Sequence, residues 1–92
     1  MSRWRVELSP AAVRQLRRLR GDELLALRGA ILSLEDEPYP AGARKLVAAD
    51  LWRVRLRIHG VPRRIVYQVR DAQRLVVVTR VARRDEATYR GL

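Results

Sequence analysis

From Trp52 to Ile58 the apolar residues Trp52, Val54, Leu56 and Ile58 alternate with Arg53, Arg55 and Arg57. A period of two belongs to a strand with one face buried and the other in water. The polar face of this strand is made entirely of arginine. Guanidinium groups on one side of a strand recur at roughly 6–7 Å and repel one another. Folding alone does not favour such a row, whereas a polyanion lying across it would.

The same test applied along the chain predicts the remaining elements. Trp4, Val6 and Leu8 alternate with Arg3, Arg5 and Glu7 as a first short strand. Ser9 then offers an N-cap and Pro10 a first helical position. Ala12, Val13, Leu16 and Leu19 line one side of the helix that follows, with Arg14, Arg17, Arg18 and Arg20 around the other. Gly21-Asp22 closes it and caps a second helix, in which Leu24, Leu27, Ile31 and Leu34 recur at helical spacing from Glu23 to about Asp36. The segment from Glu37 to Gly42, with Pro38 and Pro40, is a loop. Strands are expected at 51–58, 64–70 and 75–82, with turns at 59–62 and 71–73, and the tail from Arg83 to Tyr89 as a last helical turn. Short links make the three strands an antiparallel meander. The expected fold is a single α+β domain over residues 1–92, ordered β-α-α-β-β-β, with a helical hairpin packed on an antiparallel sheet.

Charge sharpens the picture. The 92 residues carry 20 Lys+Arg against 10 Asp+Glu, a formal net charge of +10, which points to nucleic acid or another anionic partner. Lys45 is the sole lysine, so the basic character is that of arginine, suited to bidentate phosphate contact and base stacking. With no cysteine and only His59 as imidazole, a four-ligand Cys/His zinc site is excluded. No cofactor is expected. The N-terminal residues lack the apolar run of a signal peptide, and no stretch approaches the length of a membrane span, so a cytoplasmic protein without a membrane partner is the default.

Candidate chemistry centres on Arg53 and Arg55, two residues apart on one strand face, with Arg64 on the neighbouring strand able to point the same way. Arg84 at the end of the third strand would join them, and Tyr89 would sit at the edge. Between Leu51 and Arg84 the only carboxylate is Asp71. Metal-dependent nucleases and glycosidases both need more carboxylates than this. A Ser–His–Asp mechanism is equally poorly served, because the serines have local or capping explanations. An arginine cluster can bind phosphate and stabilise charge on a phosphorane-like transition state. In RNA the 2′-OH is a built-in nucleophile, so such a site needs neither metal nor protein nucleophile. The bland alternative makes Arg64 and Arg84 ion-pair partners of Glu35, Asp36 and Glu37, with Trp4, Trp52 and Tyr67 as core or rim aromatics.

Four local patterns then carry a resemblance: Leu34 followed by Pro38; Lys45-Leu46; Trp52-Arg53-Val54-Arg55 followed by Arg64-Ile65-Val66-Tyr67; and Val81-Ala82-Arg83-Arg84 followed by Tyr89. In this order, over nearly the whole chain, the sequence resembles the RelE-type toxins of the RelE/ParE toxin–antitoxin superfamily. The resemblance implies a ribosome-dependent mRNA endonuclease, an mRNA interferase that cuts the A-site codon and arrests translation. By that likeness the 2′-OH attacks the adjacent phosphate, leaving a 2′,3′-cyclic phosphate and a 5′-OH. Arg53, Arg55, Arg64, Arg84 and Tyr89 fall on the family's catalytic positions. Lys45, Arg57, Arg83, Arg17 and Arg18 are the expected contacts to RNA or ribosome. One departure is that arginine stands where some members carry a strand lysine, and arginine is a poor proton acceptor.

Two other readings stay open. ParE-like members share the fold and inhibit DNA gyrase, and a non-catalytic RNA-binding module would use the same arginine sheet. Either toxin reading implies a cognate antitoxin, acidic and partly disordered, that covers the basic face.

Overall fold

A computed structural model describes residues 3–46 and 50–83 of the chain. Five strands and two helices follow in the order β1 (Arg5–Leu8), α1 (Pro10–Arg17), α2 (Gly21–Ser33), β2 (Arg44–Lys45), β3 (Trp52–Ile58), β4 (Val61–Arg70) and β5 (Leu75–Arg83). The strands form one sheet in the order β1-β5-β4-β3-β2. From β2 to β5 the pairing is antiparallel, while β1 joins β5 in parallel, so the sheet is mixed where the sequence suggested a wholly antiparallel one. The two helices between β1 and the meander form the crossover that a parallel pairing requires. The architecture is the expected α+β one.

Local chemistry explains the element ends. Ser9 caps α1, its Oγ accepting from the Ala12 N–H at 3.1 Å and donating to the Thr79 carbonyl at 3.0 Å, so one hydroxyl starts the helix and ties it to β5. Between the helices Gly21 takes φ 57°, a left-handed conformation that glycine adopts without a Cβ clash. The helix α2 starts there, earlier than the expected Glu23, with Asp22 and Glu23 in its first turn complementing the helix dipole. His59 and Gly60, at φ 51° and 79°, form a two-residue turn with positive φ at both positions, whose twist suits a tight hairpin. Ile58 therefore pairs with Val61, and β4 begins three residues before the expected Arg64.

The core lies between the helices and one sheet face. Ala12, Leu27, Ile31 and Leu34 pack against Ile58, Ile65, Tyr67, Val76, Val78 and Val81, with Trp4, Leu16, Leu19, Trp52 and Val54 closing its margins. Tyr67 is fully buried, and its hydroxyl donates to the Pro38 carbonyl at 2.9 Å. Burial pushes this phenol's pKa up to about 12, and the nearby Tyr39 and Glu37 add to the shift. No helix among the described residues is long and apolar enough to cross a membrane.

Candidate functional site

Residues directly opposite one another in an antiparallel pair share a face, so the register assigns each arginine its side of the sheet. Arg55 lies opposite Arg64, Arg53 opposite Val66, and Arg57 opposite Pro62. All three β3 arginines and Arg64 thus share the face turned away from the helices. Arg64 is 8% exposed, whereas Arg55 and Arg57 are exposed and Arg53 is half-buried.

Two further arginines join this face that the alternation did not single out. Arg44 of the short β2 lies opposite Arg53. Arg80 of β5 lies opposite Val66, beside the row that begins at Arg53. Strict alternation from Val76 and Val78 would have sent Arg80 into the core. A bulge prevents it: β4 steps from Val66 to Tyr67 while β5 steps from Arg80 to Val78, leaving Thr79 as an extra residue. The Thr79 hydroxyl donates to the Val66 carbonyl at 3.1 Å and helps hold the bulge. Beyond it Val81 returns to the core and Arg80 turns to the arginine face.

Three of the guanidinium groups lean on backbone carbonyls. Arg53 Nη1 reaches the Gly42 carbonyl at 3.5 Å, Arg44 Nη1 its neighbour Ala43's carbonyl at 3.2 Å, and Arg57 Nη1 the Gly60 carbonyl at 3.0 Å. These carbonyls orient the side chains without neutralising them. The strands β2 to β5 contain no Asp or Glu. Among the described residues no three His, Cys, Asp or Glu side chains come together as a metal site. The described cluster offers fixed positive charge and many N–H donors. It suits phosphate binding and stabilisation of an oxyanion, and its arginines are not proton acceptors.

Other sequence-selected residues lie elsewhere. Lys45 is opposite Trp52, on the face away from Arg53. Arg17 stands in the last turn of α1 and Arg18 at its C-cap, both exposed on the helical side. A single phosphate path across the arginine face does not take in these three. The backbone of Arg83 ends β5 opposite Arg63, while Arg84 and Tyr89 lie outside the described residues. Arg63 itself belongs to the helical face and pairs with Glu23 of α2. Asp36 is paired with Arg3 at 2.5 Å.

Tyr39, in the loop after α2, stacks edge-on against Trp52 with ring centroids 4.8 Å apart, and its hydroxyl donates to Asp71 at 3.1 and 3.2 Å. Partial burial first, then the Asp71 carboxylate, raises the pKa of this phenol. The contact anchors the loop after α2 to the turn between β4 and β5. That loop carries the Gly42 and Ala43 carbonyls that Arg53 and Arg44 use.

These features define a small α+β protein with a cationic sheet face. The family model of the ParE toxin of type II toxin–antitoxin systems matches residues 6–88, and the chain belongs to that family, within the RelE/ParE superfamily. Among solved structures, the toxin–antitoxin complex RelBE2 of Mycobacterium tuberculosis is similar at 25% identity, covering 89% of this chain and 99% of that one, with a TM-score of 0.73. The archaeal RelE–RelB complex of Pyrococcus horikoshii is 24% identical over 91% of this chain and 98% of its own, with a TM-score of 0.70. The intact Escherichia coli RelBE complex shares the fold at 19% identity, covering 86% and 94% of the two chains, with a TM-score of 0.71. Among curated proteins none matches the sequence. The protein is a toxin of the type II toxin–antitoxin class.

Proposed function

We propose that this toxin is a metal-independent, ribosome-dependent mRNA endonuclease. The observation that carries the reading is Arg55 directly opposite a nearly buried Arg64, on a sheet face whose strands β2 to β5 contain no carboxylate. Arg55 and Arg64 grip the scissile phosphate, and Arg53 adds the field that lowers the pKa of the 2′-OH. The 2′-oxygen attacks phosphorus and the 5′-oxygen leaves. The proton lost from the 2′-OH ends on that leaving oxygen, giving a 2′,3′-cyclic phosphate and a 5′-OH. Arg84, next in sequence after β5, is assigned to the leaving oxygen, and Tyr89 to stacking on a base or proton transfer. With no lysine in β3, the ribosome's in-line positioning of the codon carries more of the rate, and activity on naked RNA is low.

The test uses stalled ribosomes on a defined mRNA with a single 2′-deoxy substitution in the A-site codon. Cleavage of the all-ribose message with none at the deoxy position supports the reading. Equal cleavage of both messages contradicts 2′-OH attack. A second reading, inhibition of DNA gyrase, is favoured by the match of the chain to the ParE model over residues 6–88. Loss of supercoiling activity by purified gyrase, with mRNA left intact on ribosomes, would establish it instead.

A further inference from the structure

The arginine face is broader than one scissile phosphate needs. Its cationic positions fall into rows across the strands. One row runs Arg44, Arg53, Val66, Arg80, and the next holds Arg55 and Arg64. The two rows are separated by one pleat repeat, two residues at about 3.3–3.4 Å each. Successive phosphates of an extended single strand stand at a comparable separation. Arg80 is half-buried, yet among the described residues its side chain has no hydrogen bond or ion pair. A guanidinium held in that state beside fully buried Val66 has lost part of its hydration with no compensating partner among the described residues. The Thr79 bulge is what delivers it there.

We infer that Arg44, Arg53 and Arg80 form a second phosphate subsite, which binds the backbone phosphate next to the one held by Arg55 and Arg64 in a single-stranded polynucleotide. This rests on the reading of the face as a nucleic-acid site. Arg80 binds from the interior strand β5 and Arg44 from the edge strand β2, with Arg53 between them. The phosphate replaces the water that Arg80 lacks, and the contact is independent of base identity. Arg44 and Arg80 act as positioning residues, fixing the register of the strand so that the scissile phosphate meets Arg64.

The experiment is equilibrium binding of the full chain to a 2′-O-methyl RNA oligonucleotide, which cannot undergo 2′-OH attack, over a range of salt concentrations. Arg80→Gln and Arg44→Gln are compared with Arg28→Gln, which removes the same charge from an exposed position on α2. Removing one cation that neutralises a phosphate of a single strand lowers the slope of log K against log salt by about 0.7, which is roughly a fivefold drop in affinity at 0.1 M salt. We expect that change for Arg80→Gln and for Arg44→Gln, wild-type slope for Arg28→Gln, and a retained slope for Arg80→Lys. Thermal unfolding of each variant confirms that it is folded before binding is scored. Wild-type slopes in both face variants, or an equal drop in Arg28→Gln, overturn the second subsite alone. A wild-type chain with no salt-dependent binding overturns the nucleic-acid reading beneath it as well.

Discussion

Removing one buried hydroxyl, by Tyr67→Phe, tests the packing logic that holds the loop over the sheet. The ring of Tyr67 is fully buried and its hydroxyl donates to the Pro38 carbonyl at 2.9 Å. Phenylalanine keeps the ring and strands the carbonyl, which costs about 1–3 kcal/mol. For a domain of this size each kcal/mol lowers Tm by roughly 4–8 °C. The pH dependence adds a sharper signature. The folded-state pKa of Tyr67 is raised from 10.0 to about 12, so its contribution is complete below pH 10 and is lost as pH rises towards 12. That loss is on the order of 2–3 kcal/mol. Tyr67→Phe has no such titration, so its deficit is full at pH 8 and shrinks towards zero near pH 12. Urea unfolding of both proteins between pH 8 and pH 12 measures the difference. A constant deficit across that range, or none at pH 8, would refute the argument.

Two further substitutions probe how the helices are held to the sheet. Ser9→Ala removes both the α1 cap and the bond to the Thr79 carbonyl, and should cost about 1–2 kcal/mol in urea unfolding, with wild-type values contradicting the double role. Glu23→Ala leaves Arg63, whose side chain is 13% exposed and whose Nε has no hydrogen-bond partner, without its carboxylate; a loss of about 1–3 kcal/mol is expected, and Arg63→Met should recover part of it in the double variant.

Much of this architecture was legible because periodicity is strong where burial is one-sided. The alternation of Trp52 to Ile58 located β3 and its arginine face, and the spacing of Leu24, Leu27, Ile31 and Leu34 located α2. Strand direction was not legible, since alternation says which side faces the core and nothing about which way a neighbour runs. That is why the parallel β1–β5 pairing emerged only from the fold. The two residues of β2 are too few to show a period, which hid Arg44. Arg80 was hidden by the bulge at Thr79, where one extra residue inverts the parity of the strand. The turn was expected to span residues 59–62. The positive-φ pair His59-Gly60 closes the hairpin in two residues, and Pro62 is accommodated near the start of β4. Lys45 was expected among the contacts to RNA or ribosome, and the register puts it on the face away from Arg53.

That Arg55 and Arg64 form the heart of a ribosome-dependent nuclease is tested most directly by primer extension on a defined mRNA in a purified translation system with stalled ribosomes. Wild type is compared there with Arg55→Ala, Arg64→Ala and Arg28→Ala. We predict new stops within the A-site codon for wild type and Arg28→Ala, with cleavage reduced roughly 100- to 1000-fold in Arg64→Ala and strongly in Arg55→Ala. Intact mRNA with the wild-type toxin, or undiminished stops with folded Arg64→Ala, would contradict it.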